Sequence, residues 1–211
     1  MNPESKNRLV VFTCYPEAGR VKTHLIPALG EEGAADLQRR MTRRTLAAAN
    51  ELAQHGLADL EVCFTGGGEQ MMKRLYGEEL KMVPQLEEGD LGERMHTALQ
   101  RCFAEGAERV VIVGTDCPGL SGRIMLRAFD ELEQAPLVLG PARDGGYYLI
   151  GLTGVPPKLF EGIPWGTDRV LEMTMDLAKR LELPLTLLIP LDDLDRPEDL
   201  EMIDVSPKEE D

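Results

Sequence analysis

Seven short apolar runs, most of them separated by longer stretches with helical patterning, restrict what this chain can fold into more than any other feature. They are RLVVFTC at 8–14, LEVCFTG at 60–66, KMV at 81–83, RVVIVGT at 109–115, PLVLGPA at 136–142, GYYLIGL at 146–152 and PLTLLIPL at 184–191. Apolar residues follow one another in these runs with little alternation, which suits strands covered on both faces and predicts a mostly parallel sheet. After the first run, Ala34, Leu37, Met41, Thr45, Ala48 and Leu52 recur at steps of three and four, as on one face of an amphipathic helix. Arg39, Arg40, Arg43 and Arg44 fall on its other side and read as a solvated face paired with nearby acids. Further helical patterns cover 92–105, 121–134 and 167–183. The order β-α-β-α-β-α-β describes an open α/β sheet with right-handed crossovers.

With 211 residues, 43% of them hydrophobic, the chain is the size of one α/β domain, so a single domain over 1–211 is expected, with 1–7 and 206–211 frayed. The formal net charge of −14 repels polyanions at long range and argues against nucleic acid or an anionic membrane as partner. A small phosphorylated ligand needs only one or two placed cations. No stretch is long and apolar enough to span a bilayer, and Met1 to Arg8 lacks a basic-then-apolar leader, so a cytoplasmic location is expected. Cys14, Cys63, Cys102 and Cys117 are widely spaced with no CxxC pair, which predicts reduced thiols rather than disulfides or zinc. A bound metal would therefore rest on carboxylates, which favours magnesium or manganese.

In open α/β sheets ligands bind beyond the carboxyl ends of the strands, so the residues that follow each run are the ones to read for chemistry. The first exit, PEAGRVKTHLIPALG at 16–30, sets Gly19, Arg20 and Lys22 ahead of a helix, a pattern that serves either as a phosphate cradle or as an ordinary surface loop. In VVIVGTDCPGL, Asp116 enters a Pro-Gly turn at a strand tip, where a carboxylate can hold a divalent cation or simply brace the turn. In GPARDGGYYLIGL, Asp144 precedes two glycines, a sequence that suits close approach of a ligand and equally suits a hairpin turn. Of Tyr147 and Tyr148, at most one faces the crevice. Asp192, Asp193 and Asp195 crowd ahead of Pro197, and carboxylates so placed repel unless a cation neutralises them. QLEEGDLGERM adds Asp90, Gly92 and Arg94 at a helix start, readable as a capped turn or as a nucleotide contact.

These segments, with WGTDRVLEMT and LDDLDRPEDL, follow the order seen in the DUF2064 family of candidate nucleotide-diphospho-sugar transferases, and the chain resembles that family over roughly residues 8 to 203. The family is also described as selenodomain-associated or arsenosugar-type glycosyltransferases. The resemblance implies a Rossmann-like GT-A fold binding a nucleotide diphosphate and a divalent metal, Mg2+ or Mn2+. On that implication Gly19, Arg20 and Lys22 form the phosphate loop, and Asp90, Gly92 and Arg94 make further nucleotide contacts. Asp116, Asp144 and Asp195 hold the metal, while Tyr147, Trp165 and Thr167 lie on the acceptor side. Two positions depart from the family pattern: Cys14 stands where members usually carry Lys, and His24 where they carry Arg.

The expected reaction is transfer of a sugar from a nucleotide-diphospho-sugar to a small acceptor, with Asp116, Asp144 and Lys22 catalytic and either Asp144 or Asp193 as base. Nucleotidyl transfer from a nucleoside triphosphate to a phosphorylated small molecule uses the same parts. A nucleotide-binding protein without turnover is the third reading, motivated by Cys14 and His24.

Overall fold

All seven apolar runs become strands of one sheet in a computed structural model, which describes residues 5–202. They are β1 (Asn7–Cys14), β2 (Asp59–Thr65), β3 (Lys81–Pro84), β4 (Arg109–Val113), β5 (Leu137–Pro141), β6 (Tyr147–Leu152) and β7 (Leu185–Leu187). The spatial order is β3-β2-β1-β4-β6-β5-β7. Neighbouring strands run parallel except where β6 pairs antiparallel with β4 and β5. That exception has a local cause, because too few residues separate β5 from β6 for a crossover, and Asp144-Gly145 makes the hairpin turn.

Five helices connect the strands: α1 (Ile26–Gln54), α2 (Glu69–Tyr76), α3 (Leu91–Ala104), α4 (Gly122–Glu131) and α5 (Val170–Arg180). They cover both faces, and strand parity decides which residue meets which helix. Leu9 and Val11 pack towards Leu46 and Leu52 of α1 and Met125 and Phe129 of α4. Val10, between them, packs with Met95 and Leu99 of α3 and Ala178 of α5. Each buried aliphatic side chain of this size contributes about 1.5–3 kcal/mol, so both layers are needed to hold β1 at the centre.

Several boundaries differ from the periodicity reading. The first helix opens at Ile26 and is broken at Gly30, whose φ of 72° no helix accommodates, so its unbroken length begins at Glu31, where the run of helix formers starts. The short helix α2 gave too few turns to register as a pattern. At the sheet edge, β7 keeps only three residues of its eight-residue apolar run, and Ile189 beyond it is 61% exposed. Asn7, placed in a frayed end by the sequence reading, opens β1, whereas 206–211 lie outside the described residues. All four cysteines are free thiols. Among the described residues no helix is long and apolar enough to cross a membrane.

Candidate functional site

The loop after β1, the carboxyl ends of β4 and β5 and the chain after β7 converge on one cleft of about 780 Å³. Lys22 does not line this cleft but braces two residues that do, Asp116 and Asp195. Gly19 (φ 77°) turns the loop after β1, and Lys22 itself takes a left-handed conformation (φ 42°) that sends its side chain inward, where it is only 4% exposed. Its Nζ lies 2.9 Å from Asp116 Oδ1 and 3.7 Å from Asp195 Oδ1, and it donates to the Leu194 carbonyl at 2.8 Å. Arg20 goes the other way, to an exposed pair with Glu17 at 3.3 Å, and neither it nor Gly19 lines the cleft.

Leu194, which the sequence reading missed, organises the far side. Its side chain is fully buried with Leu25, Leu37 and Met41, and its N–H donates to the Asp116 carbonyl at 2.9 Å. The flanking Asp193 and Asp195 consequently turn towards the cleft. The only local signal was one apolar residue in an acidic run. Asp192 instead pairs with Arg143 at 2.8 Å.

Asp144 sits at the hairpin tip, where its Oδ1 accepts the Gly146 N–H at 2.8 Å. Gly145 is required there: its φ is 93°, and a Cβ would fall 2.1 Å from the Asp168 carbonyl oxygen. The Gly145 carbonyl accepts the Leu171 N–H at 2.9 Å, which clamps the hairpin to the start of α5.

Asp144, Asp193 and Asp195 each present an oxygen within 4.8 Å of the others. Burial and the charge of Asp144 push the Asp193 carboxyl up, and burial and Asp116 push Asp195 up against the opposing pull of Lys22 and His24. Such crowding of hard oxygen donors fits a magnesium or manganese ion, which would relieve the repulsion. Asp116, expected in the metal set, is taken up by Lys22, while Asp193, expected as a base, stands in the three-carboxylate group.

Trp165 forms part of one wall, with Tyr147 edge-on to it at 6.3 Å between ring centroids. A Cβ on Gly92 would lie 2.7 Å from the indole, so that glycine admits Trp165 against α3. Thr167 also lines the cleft, and its hydroxyl donates to the Pro164 carbonyl at 2.8 Å. Asp90 caps α3: it accepts the Glu93 N–H at 2.9 Å, and Glu93 accepts the Asp90 N–H at 2.8 Å. This is the capped-turn alternative for that segment, and neither Asp90 nor Arg94 lines the cleft. At the end of β1, burial and the nearby Asp116 push the Cys14 thiol up to about 11, so it is neutral at neutral pH. His24 lines the cleft beside Asp195.

An open α/β sheet with a carboxylate-rich cleft at its strand ends defines the class: a GT-A-like domain of the kind shared by glycosyl- and nucleotidyltransferases. Within it, the chain belongs to DUF2064, described as uncharacterized protein conserved in bacteria, whose family profile matches residues 45–167. It is 32% identical to a candidate nucleotide-diphospho-sugar transferase from Desulfovibrio desulfuricans G20, covering 97% of this chain and 90% of that one with a TM-score of 0.87. More distant structures share the fold. The 4-diphosphocytidyl-2C-methyl-D-erythritol synthase of Anaerococcus prevotii DSM 20548 is 10% identical, with 93% and 94% of the two chains covered and a TM-score of 0.61. Glucosyl-3-phosphoglycerate synthase of Mycobacterium tuberculosis, solved with Mn2+ and uridine diphosphate, is 14% identical, with 93% and 74% covered and a TM-score of 0.57. No curated protein matches.

Proposed function

We propose that the protein is a metal-dependent glycosyltransferase that moves a sugar from a nucleotide-diphospho-sugar to a small hydroxyl-bearing acceptor. The observation that carries this reading is the meeting of Lys22 and Asp116 with the Asp144, Asp193 and Asp195 carboxylates around one cleft at the strand ends. The description of its 32% identical relative agrees with it. Asp144 and Asp195, with Asp193 beside them, would hold a divalent cation, and that ion would supply positive charge against the donor diphosphate. Lys22 lends its ammonium to the same leaving group, and Trp165 and Tyr147 shape the acceptor wall. The acceptor oxygen bonds to the anomeric carbon as the bond from that carbon to the diphosphate oxygen breaks, the electron pair leaving on the diphosphate. The hydroxyl proton passes to Asp193, whose raised carboxyl is the better base for it. On this reading Asp144 and Asp195 are metal ligands, and Asp116 orients Lys22.

Nucleotidyl transfer to a phosphorylated molecule is the second reading, and charge disfavours it. Among the described residues lining the cleft, the acceptor-side group of Tyr147, Trp165, Thr167 and Asp168 supplies no cation for an acceptor phosphate, and the one lining arginine, Arg196, follows Asp195 in the chain. The test is a thermal-shift panel of UDP-, GDP-, ADP- and CDP-sugars and the matching triphosphates, with Mn2+ and again with chelator. Turnover is followed by release of nucleoside diphosphate or pyrophosphate. We expect a metal-dependent rise for one diphosphate-sugar, lost in Asp195→Ala. A rise confined to triphosphates, with pyrophosphate released, selects the second reading, and a flat panel removes both.

A further inference from the structure

Beneath the cleft lies a buried polar cluster that the catalytic reading does not use. Gln38 on the inner face of α1 donates from Nε2 towards the hydroxyls of Thr13 at 3.2 Å, Thr42 at 3.2 Å and Thr115 at 3.3 Å. Thr13 and Thr42 share a further hydrogen bond of 2.8 Å. All four side chains are buried.

Their location gives the cluster meaning. The ladder between β1 and β4 ends at the pair Val11 and Val113. Two residues further along each strand come Thr13 and Thr115, past the last paired position. There Gln38 takes over, bridging two backbones that the sheet no longer joins. The next residues are Cys14 and Asp116, the latter the partner of Lys22 and, through its carbonyl, of Leu194.

An apolar side chain would fill this space without the cost of desolvating an amide and three hydroxyls. What a hydrogen-bonded cluster adds is direction, since hydrogen bonds fix separation and angle where apolar contacts allow sliding. The amide has two protons for three hydroxyl oxygens, and the Thr13–Thr42 bond draws those two hydroxyls together.

We propose that Gln38 is a positioning residue for the diphosphate end of the cleft, setting the gap between the tips of β1 and β4 through Thr13 and Thr115 and thereby the placement of Asp116 against Lys22. This rests on the functional reading above only for its consequence, nucleotide affinity. Its structural claim can be read independently.

The test compares Gln38→Met, Thr115→Val and the control Thr45→Val, which removes an equally buried hydroxyl of α1 that lies outside the cluster. Two quantities are measured in the intact chain: the dissociation constant of UDP with Mn2+ by calorimetry, and hydrogen exchange at the Leu194 amide, which is bonded to the Asp116 carbonyl. Gln38→Met and Thr115→Val are expected to weaken UDP by about tenfold and to speed Leu194 exchange, and the double variant should be no worse than Gln38→Met, as for residues acting through one network. Thr45→Val should leave both readouts as in the wild type. Equal effects from Thr45→Val and Thr115→Val, or unchanged Leu194 exchange in Gln38→Met, overturn the proposal. A wild type that binds no UDP counts against the functional reading with that donor, and the exchange measurement still decides the role of Gln38.

Discussion

Lys22 donates to the carbonyl oxygen of Leu194 at 2.8 Å, joining residues 172 apart in the chain. One ammonium thus ties the loop after the first strand to the segment after the last, with Asp116 and Asp195 on either side. The first-exit loop is therefore more than a surface connection. Its single inward cation is the charge around which the cleft is assembled, while Arg20 serves only a solvent-exposed pair.

The crowded carboxylates make stability depend on pH in a defined direction. In the folded protein Asp193 and Asp195 are raised above the ordinary value of 3.8, chiefly by burial and neighbouring negative charge. The native state therefore holds protons more tightly than the unfolded chain, so these groups cost stability as pH rises through the carboxylate range. In chelator, Asp193→Asn should raise Tm near pH 7 and change it little near pH 3. The same variant should reduce the stabilisation that added Mn2+ gives the wild type, and scanning fluorimetry reads both.

Cys14 should alkylate slowly at neutral pH, because a thiol pushed up to about 11 is almost wholly protonated. Cys14→Lys should place a second ammonium beside Asp116. A charge-assisted hydrogen bond of ~1.5–3 kcal/mol corresponds to a gain of about tenfold or more in affinity for a nucleoside diphosphate, measurable by calorimetry.

Gly92→Ala sets two effects against each other. Alanine favours a helix over glycine by about 1 kcal/mol, but its Cβ would lie 2.7 Å from the Trp165 ring. Overpacking of this kind costs roughly 1–3 kcal/mol, so a net loss of stability is expected in urea unfolding. Trp165 is the sole tryptophan, so its emission should shift in the folded variant as the ring is displaced.

At the opposite pole of the sheet, Glu61 is fully buried beside Arg101, Lys81 and Arg8. Burial alone would raise its carboxyl, but hydrogen bonds and charge from Arg101, aided by Lys81, outweigh it and hold the group below 4.5. The sign is opposite to that of Asp193: this stabilisation is present above the unfolded value and lost as pH falls through the folded one. Glu61→Gln should cost up to about 3 kcal/mol at neutral pH by removing the buried carboxylate that Arg101, Lys81 and Arg8 share, Glu105 being then their one remaining ion-pair partner among the described residues, with the difference from wild type narrowing in acid.

The strands were legible because each is a short, mostly apolar run, whereas the capping Asp90 was one of two readings open for its segment. Asp144-Gly145 showed its hairpin signal openly, although the signal alone did not say that β6 would reverse direction. The role of Asp90 and Gly92 was harder to read, since a capped helix start and a nucleotide contact use the same residues. What separates them is whether they line the cleft or brace α3 and Trp165.

By itself the sequence determined the α/β class, the two-sided burial of the strands and the exits at which chemistry could lie, because periodicity and turn chemistry are local properties of the chain. Only the tertiary structure decided that Asp193 joins Asp144 and Asp195, that Lys22 pairs with Asp116, and that Leu194 bonds the Asp116 carbonyl while Gln38 reaches both Thr13 and Thr115. Those relations join residues far apart in the chain and depend on strand order and on where the ladder between β1 and β4 ends, and no local pattern carries that information.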